Sequence, residues 1–565
     1  LRYFIKISNC LKKIAFFLVL FLAAPSVGAQ NLYLKIYGKT DLETKTIDSI
    51  GYANKHPNAK ALVGEANLFS EKLAKSGYLE YQIESNQKTN DSTFAFYCSL
   101  GSKTQWANLY ISKGSPLETL GVFEKAQDTL KIRYTEIESF LNQTLAKLEK
   151  KGFALAKLQL IDLEKKDRKI QAELQLILEK QRTVNDIVVN GYAKFPEGHK
   201  HNVKRMYRNK VFNQENLKKL HADFEKFRFV KQTKYPEILF SRDSTKIYVY
   251  LEKVKANSFD GFVGFTTDDR KKVILSGYVD LTLNNILNTG ETFALYWKSD
   301  GKNQKTFNAA IELPYVFKSP FGLKGELNIF KQDSTFQNTK TAIGLGYFFN
   351  YNTRVYLGYQ STESSDIQNL NSASISDFKN AFFTTDFEYT GYKPDDFLFP
   401  EKTKILLKTG IGSRNSKQKK NDQFFILADL KHNFYLNDKN SINLKSQNYY
   451  LGSDKYIINE LYRFGGINSM RGFNENSLQA SLFTSILTEY RYVLSPGIYT
   501  HSIIDYGYYQ DKSTDRSDSI FGFGFGFGLL TKNGLFNIVY ANGNTKDQAV
   551  KLSNSIVHIS FKANF

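Results

Sequence analysis

The chain has 565 residues, a net charge of +20 from 76 Lys+Arg against 56 Asp+Glu, and 15% aromatic residues with only 10 Pro. That aromatic content excludes a disordered chain, and no internal stretch approaches the roughly 18 to 20 apolar residues of a spanning helix. What remains is a soluble multidomain protein, or one whose membrane part is built from strands, which hide their apolarity by alternation. The basic charges are spread along the chain rather than gathered into a nucleic-acid patch, so solubility is the simpler account of them.

Residues 1–29 read as an export signal. Arg2, Lys6, Lys12 and Lys13 form a positive start, Ile14 to Ala24 is an apolar run too short for a stable anchor, and Val27-Gly28-Ala29 supplies small residues before Gln30. A buried N-terminal helix is the alternative. Removal of the signal takes Cys10 with it and leaves Cys98 alone, so the mature chain is expected to hold neither an internal disulfide nor a thiolate metal site.

From Asn31 to about Val254 helical and strand periods alternate. Leu62, Ala66, Phe69 and Leu73 fall on one helix face, and Gly77 stops that helix. Strand-like segments follow near Leu79–Ser85 and Thr93–Leu100. The order recurs with Ile137, Leu141, Leu145 and Leu148, a stop at Gly152 that is 75 residues after Gly77, and strands near 155–163 and 170–179. A third copy has Leu217, Leu220, Phe224 and Phe227, with Phe227-Arg228-Phe229 in place of the glycine stop and strands near 236–240 and 246–254. Opening strands at Leu32–Ile36, Gln105–Ile111 and Val184–Asn190 complete a strand–helix–helix–strand–strand unit. The period predicts three small α+β modules at 30–102, 103–181 and 182–254. One larger α/β domain with accidental spacing is the alternative.

After about Lys255 the helical period disappears. Phe521, Phe523, Phe525 and Phe527 alternate with Gly522, Gly524, Gly526 and Gly528, which in a strand puts Phe on one face and bare backbone on the other. No helix follows these glycines, so they are not a phosphate loop. The chain closes on Val557, Ile559, Phe561, Ala563 and Phe565 facing one way, as suits a barrel whose last strand pairs with its first. At roughly 19 residues per strand and turn, residues 255–565 hold about 16 strands of a transmembrane antiparallel β-barrel. Phe348-Phe349 and Tyr449-Tyr450 are candidate interface girdles. A soluble β-sandwich array is the alternative.

Gly465-Gly466-Ile467-Asn468-Ser469-Met470-Arg471-Gly472-Phe473 resembles the Arg-Gly-Phe/Tyr loop of the superfamily in which POTRA modules precede an outer-membrane barrel. That superfamily includes BamA-like and TamA-like assembly factors and two-partner-secretion transporters. Ile503-Ile504-Asp505-Tyr506-Gly507 is similar to the later strand motif whose Asp pairs with the Arg, with Ile503 in place of the usual aromatic. Glu489-Tyr490-Arg491, Gly290 within Asn284–Glu291, and Pro314-Tyr315 are also similar to the family. The resemblance implies that the extracellular loop carrying Arg471, Gly472 and Phe473 folds back into the lumen. It places Asp505 as the anchor for Arg471, with Glu489 as a second candidate.

The residues support the same expectation. A loop entering a water-filled lumen needs a fixed anchor, and a guanidinium fork grips a carboxylate in two places. If Ile504, Tyr506 and Tyr508 face lipid, Asp505 faces inward, and the same parity turns Glu489 and Arg491 inward.

The chain has no zinc-protease motif, Walker loop or nucleophile elbow, so no enzyme activity and no cofactor is expected. His199 and His201, the one close histidine pair, read as structural or solvent-facing rather than metal-binding. The expected protein sits in a bacterial outer membrane with its modules in the periplasm. It captures unfolded outer-membrane or secreted proteins on open sheet edges and inserts them into the membrane or moves them across it. Its partners would be those clients, outer-membrane lipid and accessory periplasmic or lipoprotein subunits, with no nucleic acid. The seam between the first strand, near Phe262–Thr266, and the last, with Val557, Ile559, Phe561 and Phe565, would be the exit. The alternatives are a two-partner transporter for one exported protein and a passive porin. Two-partner transporters typically carry two modules and a plug helix, whereas three modules and no plug segment are counted here.

Overall fold

The computed structural model describes residues 31–120, 128–267, 273–300, 304–372, 374–393, 395, 396, 398–417, 420–532, 534–546 and 555–565. The expected export signal lies outside them. The chain divides into two compact units between Arg182 and Thr183.

The first unit holds two mixed sheets. In one, strand Leu32–Gly38 runs parallel to Thr93–Ser99 and is flanked by Lys55–His56, while Gln82–Asn90 forms the far edge. Helix Asp41–Ile50 starts at Thr40, whose hydroxyl accepts the Glu43 N–H at 3.2 Å while the Glu43 carboxylate accepts the Thr40 N–H at 3.2 Å. Helix Ala59–Lys75 buries Leu62, Ala66, Phe69 and Leu73 against Leu34 and Ile36. In the other sheet, Trp106–Tyr110 lies between Thr129–Arg133 and the parallel strand Lys169–Ile177, with Lys157–Lys166 outside.

The two long helices of this unit end alike. Tyr78 N–H donates to Leu73 C=O at 2.9 Å and Gly77 N–H to Ala74 C=O at 3.0 Å. Phe153 N–H donates to Leu148 C=O at 3.0 Å and Gly152 N–H to Glu149 C=O at 2.8 Å. Both are left-handed stops, with φ of 99° at Gly77 and 92° at Gly152. Each glycine carbonyl then accepts one N–H from the segment that follows the module, from Thr104 and from Arg182, both at 2.8 Å. The repeat therefore extends to hydrogen bonds.

The second copy departs from the expected order. Its first helix is the single turn Pro116–Thr119, and a strand, Thr129–Arg133, stands before helix Ile137–Lys150. Thr-Leu-Lys-Ile-Arg alternates and pairs with the free side of Trp106–Tyr110, a register that helical spacing elsewhere in the copy hides.

The second unit begins with the third sheet, Val230–Phe240 beside Thr245–Lys253 beside Asp186–Asn190, packed under helices Glu197–Tyr207 and Gln214–Glu225. Phe227, where the other copies have glycine, donates its N–H to Phe224 C=O at 3.3 Å and is 2% exposed. Its ring fills the junction with the barrel, which explains the exchange of glycine for an aromatic.

Sixteen antiparallel strands, from Ser258–Thr267 to Ile556–Asn564, close into a barrel, each paired with its neighbour in sequence. No described helix is long and apolar enough to cross a membrane; this chain crosses with strands. The outer face is apolar: Ile343, Leu345, Tyr347 and Phe349 on one strand, and Val557, Ile559 and Phe561 on the last, all point outward. The inner face is polar, with Gln360, Thr362, Ser364 and Asp366 buried along one strand. Such a polar interior inside an apolar belt is the arrangement of a transmembrane barrel. The paired aromatics do not form girdles as pairs. Phe349 faces out while Phe348 is fully buried against Tyr315 and Tyr356, and Tyr449 turns inward to stack on Tyr462. Adjacent residues on a strand take opposite faces, so only one of each pair can meet lipid.

Candidate functional site in the lumen and at the seam

The segment between strands Asn440–Ser453 and Leu482–Ser495 folds into the barrel and carries a short hairpin, Tyr462–Phe464 with Leu478–Ala480. Its turn is made of left-handed glycines, Gly465, Gly466 and Gly472. Met470 is fully buried, and Arg471 and Phe473 are buried beside it.

Arg471 meets both candidate carboxylates. Its Nε donates to Asp505 Oδ2 at 2.8 Å, its backbone N–H donates to the same oxygen at 3.1 Å, and a terminal nitrogen bonds Asp505 Oδ1. The other terminal nitrogen bonds Glu489. Asp505 faces the lumen because Ile504 and Tyr506 on either side face out. Strand Leu482–Ser495 obeys the same parity, with Tyr490 and Tyr492 exposed and Arg491 buried. Arg491 Nε donates to Glu489 Oε2 at 2.7 Å, so Glu489 is shared between two arginines.

The wall is shaped to receive the loop. A Cβ on Gly522 would lie 2.3 Å from the Arg471 carbonyl oxygen, and one on Gly543 would lie 2.6 Å from the Gly472 carbonyl oxygen. Gly522 is the register partner of both Asp505 and Gly543. The Arg471 anchor and the bare positions under the loop thus form one row across three strands. Gly526 and Gly528 face inward beneath the rings of His501 and Tyr499, where a Cβ would come within 2.2 and 2.1 Å. The Phe/Gly alternation therefore serves both faces: Phe521 to Phe527 present rings to lipid while the glycines leave room inside.

The far end of the loop reaches the opposite side of the seam. Glu475 accepts from Tyr296 Oη at 2.8 Å and pairs with Lys298, both on strand Thr292–Ser299. Asn476 C=O accepts from Gln304 at 3.4 Å. With Gly472 packed against strand Gly534–Asn544 and Glu475 bonded to strand Thr292–Ser299, the loop straddles the junction of first and last strands from inside.

Among the described residues that junction has the fewest register pairs in the barrel. First and last strands share two register pairs, Ser258 with Asn564 and Phe259 with Ala563. The first strand shares ten pairs with the second, and the last shares eight with its other neighbour. Beyond Phe259 a side chain takes over from the ladder: Asp260 accepts the Phe561 N–H at 3.3 Å and the Tyr278 hydroxyl at 2.7 Å. The residues after Asp260 in the first strand therefore keep their seam-side backbone groups outside any ladder among the described residues.

A cavity of about 460 Å³ lies under the loop, lined by Lys324, Glu326, Lys340, Asp386 and Lys408 among others. Its charges are balanced by ion pairs such as Lys324–Glu326 at 2.8 Å and Lys408–Asp386 at 3.6 Å. No group of metal-ligating side chains occurs among the described residues.

Gly290 and Tyr315, both in short turns at the module-side rim, meet at His199. A Cβ on Gly290 would lie 1.9 Å from His199 Cε1, and the Tyr315 ring centroid is 4.9 Å from that of His199. His199 is fully buried among Phe227, Phe229, Tyr315 and Tyr351, and neither ring nitrogen has a hydrogen-bond partner. Burial pushes its pKa down to about 3. His201 is exposed, so the two do not form a pair.

Glu475, its partners Tyr296 and Lys298, and the glycines under the loop did not stand out in the sequence. Only the lumen parity of the strands could have marked Lys298 as a polar residue facing in.

No protein-family model matches the chain, and no curated protein matches it. Among solved structures it is similar to BamA from Haemophilus ducreyi lacking POTRA domains 1–3, with 14% identity and a TM-score of 0.48 over 81% of this chain and 98% of that one. It is also similar to CdiB from Acinetobacter baumannii, with 12% identity and a TM-score of 0.49 over 82% and 90%. CdiB from Escherichia coli aligns at 13% identity and a TM-score of 0.49 over 90% of this chain and 97% of that one.

Proposed function

We propose that this protein inserts unfolded polypeptide into the outer membrane or moves it across, using the first-strand edge at the seam as a template. The observation that carries this is the closure by two register pairs in a barrel whose other ladders adjoining it hold eight and ten. In hydrocarbon an unpaired backbone group costs several kcal/mol. The free edge after Asp260 is therefore driven to acquire hydrogen bonds, and an incoming strand supplies them whatever its side chains. The modules offer edges of the same kind upstream: Gln82–Asn90 is exposed along all nine residues and pairs on one side only.

In this reading the lumen loop holds the resting state. Arg471 fixes it to Asp505 and Glu489, and Glu475 ties it to the wall beyond the seam, so opening the seam and releasing the loop are linked. The work comes from client folding and burial, with no nucleotide.

The experiment is a reversible lock. Phe259 and Ala563 lie directly opposite, within the Cα spacing a disulfide accepts. The F259C/A563C variant, oxidised, should fold and yet deplete client proteins from the outer membrane and medium, with reductant restoring them. A fall in many barrel proteins identifies a general assembly factor; loss of one secreted product identifies a dedicated transporter. Unchanged profiles with the lock closed overturn both.

A further inference from the structure

We infer that two module-side turns of the barrel, held by the third module, form an anchor for the anionic phospholipid of the periplasmic leaflet. The turns are Asn285–Gly290 and the segment from Pro314 to Pro320, after the second and fourth strands. Both are knitted so that their polar groups point inward. In the first, the Glu291 carboxylate accepts the N–H groups of Leu287 at 2.6 Å and Thr289 at 3.1 Å, and Asn285 Oδ1 accepts the Gly290 N–H at 2.9 Å. In the second, Asn202 of helix Glu197–Tyr207 donates to the carbonyls of Lys318 at 3.2 Å and Ser319 at 3.0 Å.

What the turns leave outside is apolar. Ile286 is 47% exposed, Leu287 69% and Phe317 98%. Phe317 is held there in a left-handed conformation with φ of 53°, between Tyr315 at 56° and Lys318 at 61°. Non-glycine residues rarely adopt that region and are strained in it. A strained turn that presents a phenyl ring to water loses twice, so a second phase that takes the ring resolves the arrangement.

Lipid is the occupant that fits. The tips continue the outward apolar face of the strands that lead to them, Ile311 on one side and Phe321 and Leu323 on the other, all exposed on the belt. Beside them stand fixed positive charges. Lys318 is exposed in the turn itself, and Arg205, three residues after Asn202 and so on the same helix face, is exposed along with Arg208. Neither arginine has an acidic partner among the described residues. Apolar tips backed by Lys and Arg match the acyl boundary and anionic headgroups of a leaflet surface. The anchor would fix the third module against the bilayer, independently of what the barrel transports.

The test places a nitroxide at single cysteines of the full chain in nanodiscs, in a Cys10→Ser background where the remaining Cys98 is buried. Phe317→Cys and Leu287→Cys are compared with Asp438→Cys, an exposed position in another turn on the same rim. Labels at 317 and 287 should be severalfold more accessible to oxygen than to a water-soluble nickel chelate, with the reverse at 438. Adding phosphatidylglycerol to phosphatidylcholine discs should bury the two labels further, and Arg205→Glu with Lys318→Glu should abolish that gain. Each variant is checked for a folded barrel by heat-dependent gel mobility. Labels at 317 and 287 as wet as that at 438 overturn the anchor. Equal depth with and without phosphatidylglycerol overturns the anionic headgroup as its ligand.

Discussion

Among the described residues Arg471 is the one cation that touches Asp505, and Arg471→Ala removes it. The Asp505 side chain is fully buried and Arg471 is 5% exposed at the side chain, so water does not replace the lost partner. Glu489 keeps Arg491 at 2.7 Å, which leaves Asp505 as the single orphan. Breaking a buried ion pair from one side is worth about 3–5 kcal/mol. At about 1.4 kcal/mol per tenfold, the docked loop should lose roughly two to three and a half orders of magnitude in protection. The assay is hydrogen exchange across residues 462–480 in the folded barrel, with strands Leu482–Ser495 and Ile498–Asp511 as internal references. Asp505→Asn is the control that separates charge from shape. It leaves Arg471 with Glu489 and should lose only about 1–2 kcal/mol. If Arg471→Ala protects residues 462–480 as well as the native chain does, the guanidinium is not what holds the loop, and the reasoning fails.

Glu475→Gln should loosen the other end of the loop by about 1 kcal/mol, since Lys298 and Glu475 are partly exposed and screened. Faster exchange in the first strand, Ser258–Thr267, would show that the tie across the seam restrains opening, and unchanged exchange there would show that it does not. His199 has its folded pKa lowered to about 3 from 6.5, so the unfolded junction binds the extra proton. Stability from this group is present above pH 6.5 and is lost as pH falls toward 3; protection of helix Glu197–Tyr207, its exchange taken relative to the intrinsic rate at each pH, should fall over that window, and His199→Phe should flatten the fall. Gly77→Ala should destabilise the first module by more than the roughly 1 kcal/mol of a left-handed alanine, because the new Cβ would also lie 2.4 Å from the Thr104 carbonyl oxygen. Gly114→Ala, at φ of 78° in the Ser112–Ser115 turn with open space around it, gives the backbone part alone. Equal losses in thermal unfolding would refute the steric contribution.

The sequence disclosed what repeats or alternates. Gly77 and Gly152 end helices because only a left-handed residue lets two carbonyls be capped, and that need shows in one letter. Phe521 to Leu529 announced a strand with a bare face through its period of two. Arg471 and Asp505 were legible as a pair through the resemblance of their two motifs, with strand parity adding that Asp505 faces inward. Glu475 was not, since its partners Tyr296 and Lys298 lie across a closure that no local pattern encodes. The Thr129–Arg133 strand was hidden for a related reason: it pairs with Trp106–Tyr110, and a five-residue alternation carries little signal without its neighbour. The same holds for His199, whose aromatic surroundings come from the module's own loops and from two barrel turns. Phe348 and Tyr449 show the opposite error, where a local pair of aromatics suggested a girdle and the pleat divided it.

Gly522 and Gly543 also have a meaning for populations. Glycine in a strand is about 0.5–1 kcal/mol worse than alanine, a disadvantage present whether or not the loop sits above it. The compensation exists only while the carbonyls of Arg471 and Gly472 occupy those positions. The wall is thus an imprint of the docked loop, and its sequence is economical only if the docked form is the one this protein occupies for most of its time. Departures from that form expose two bare backbone positions whose cost only the returning loop removes.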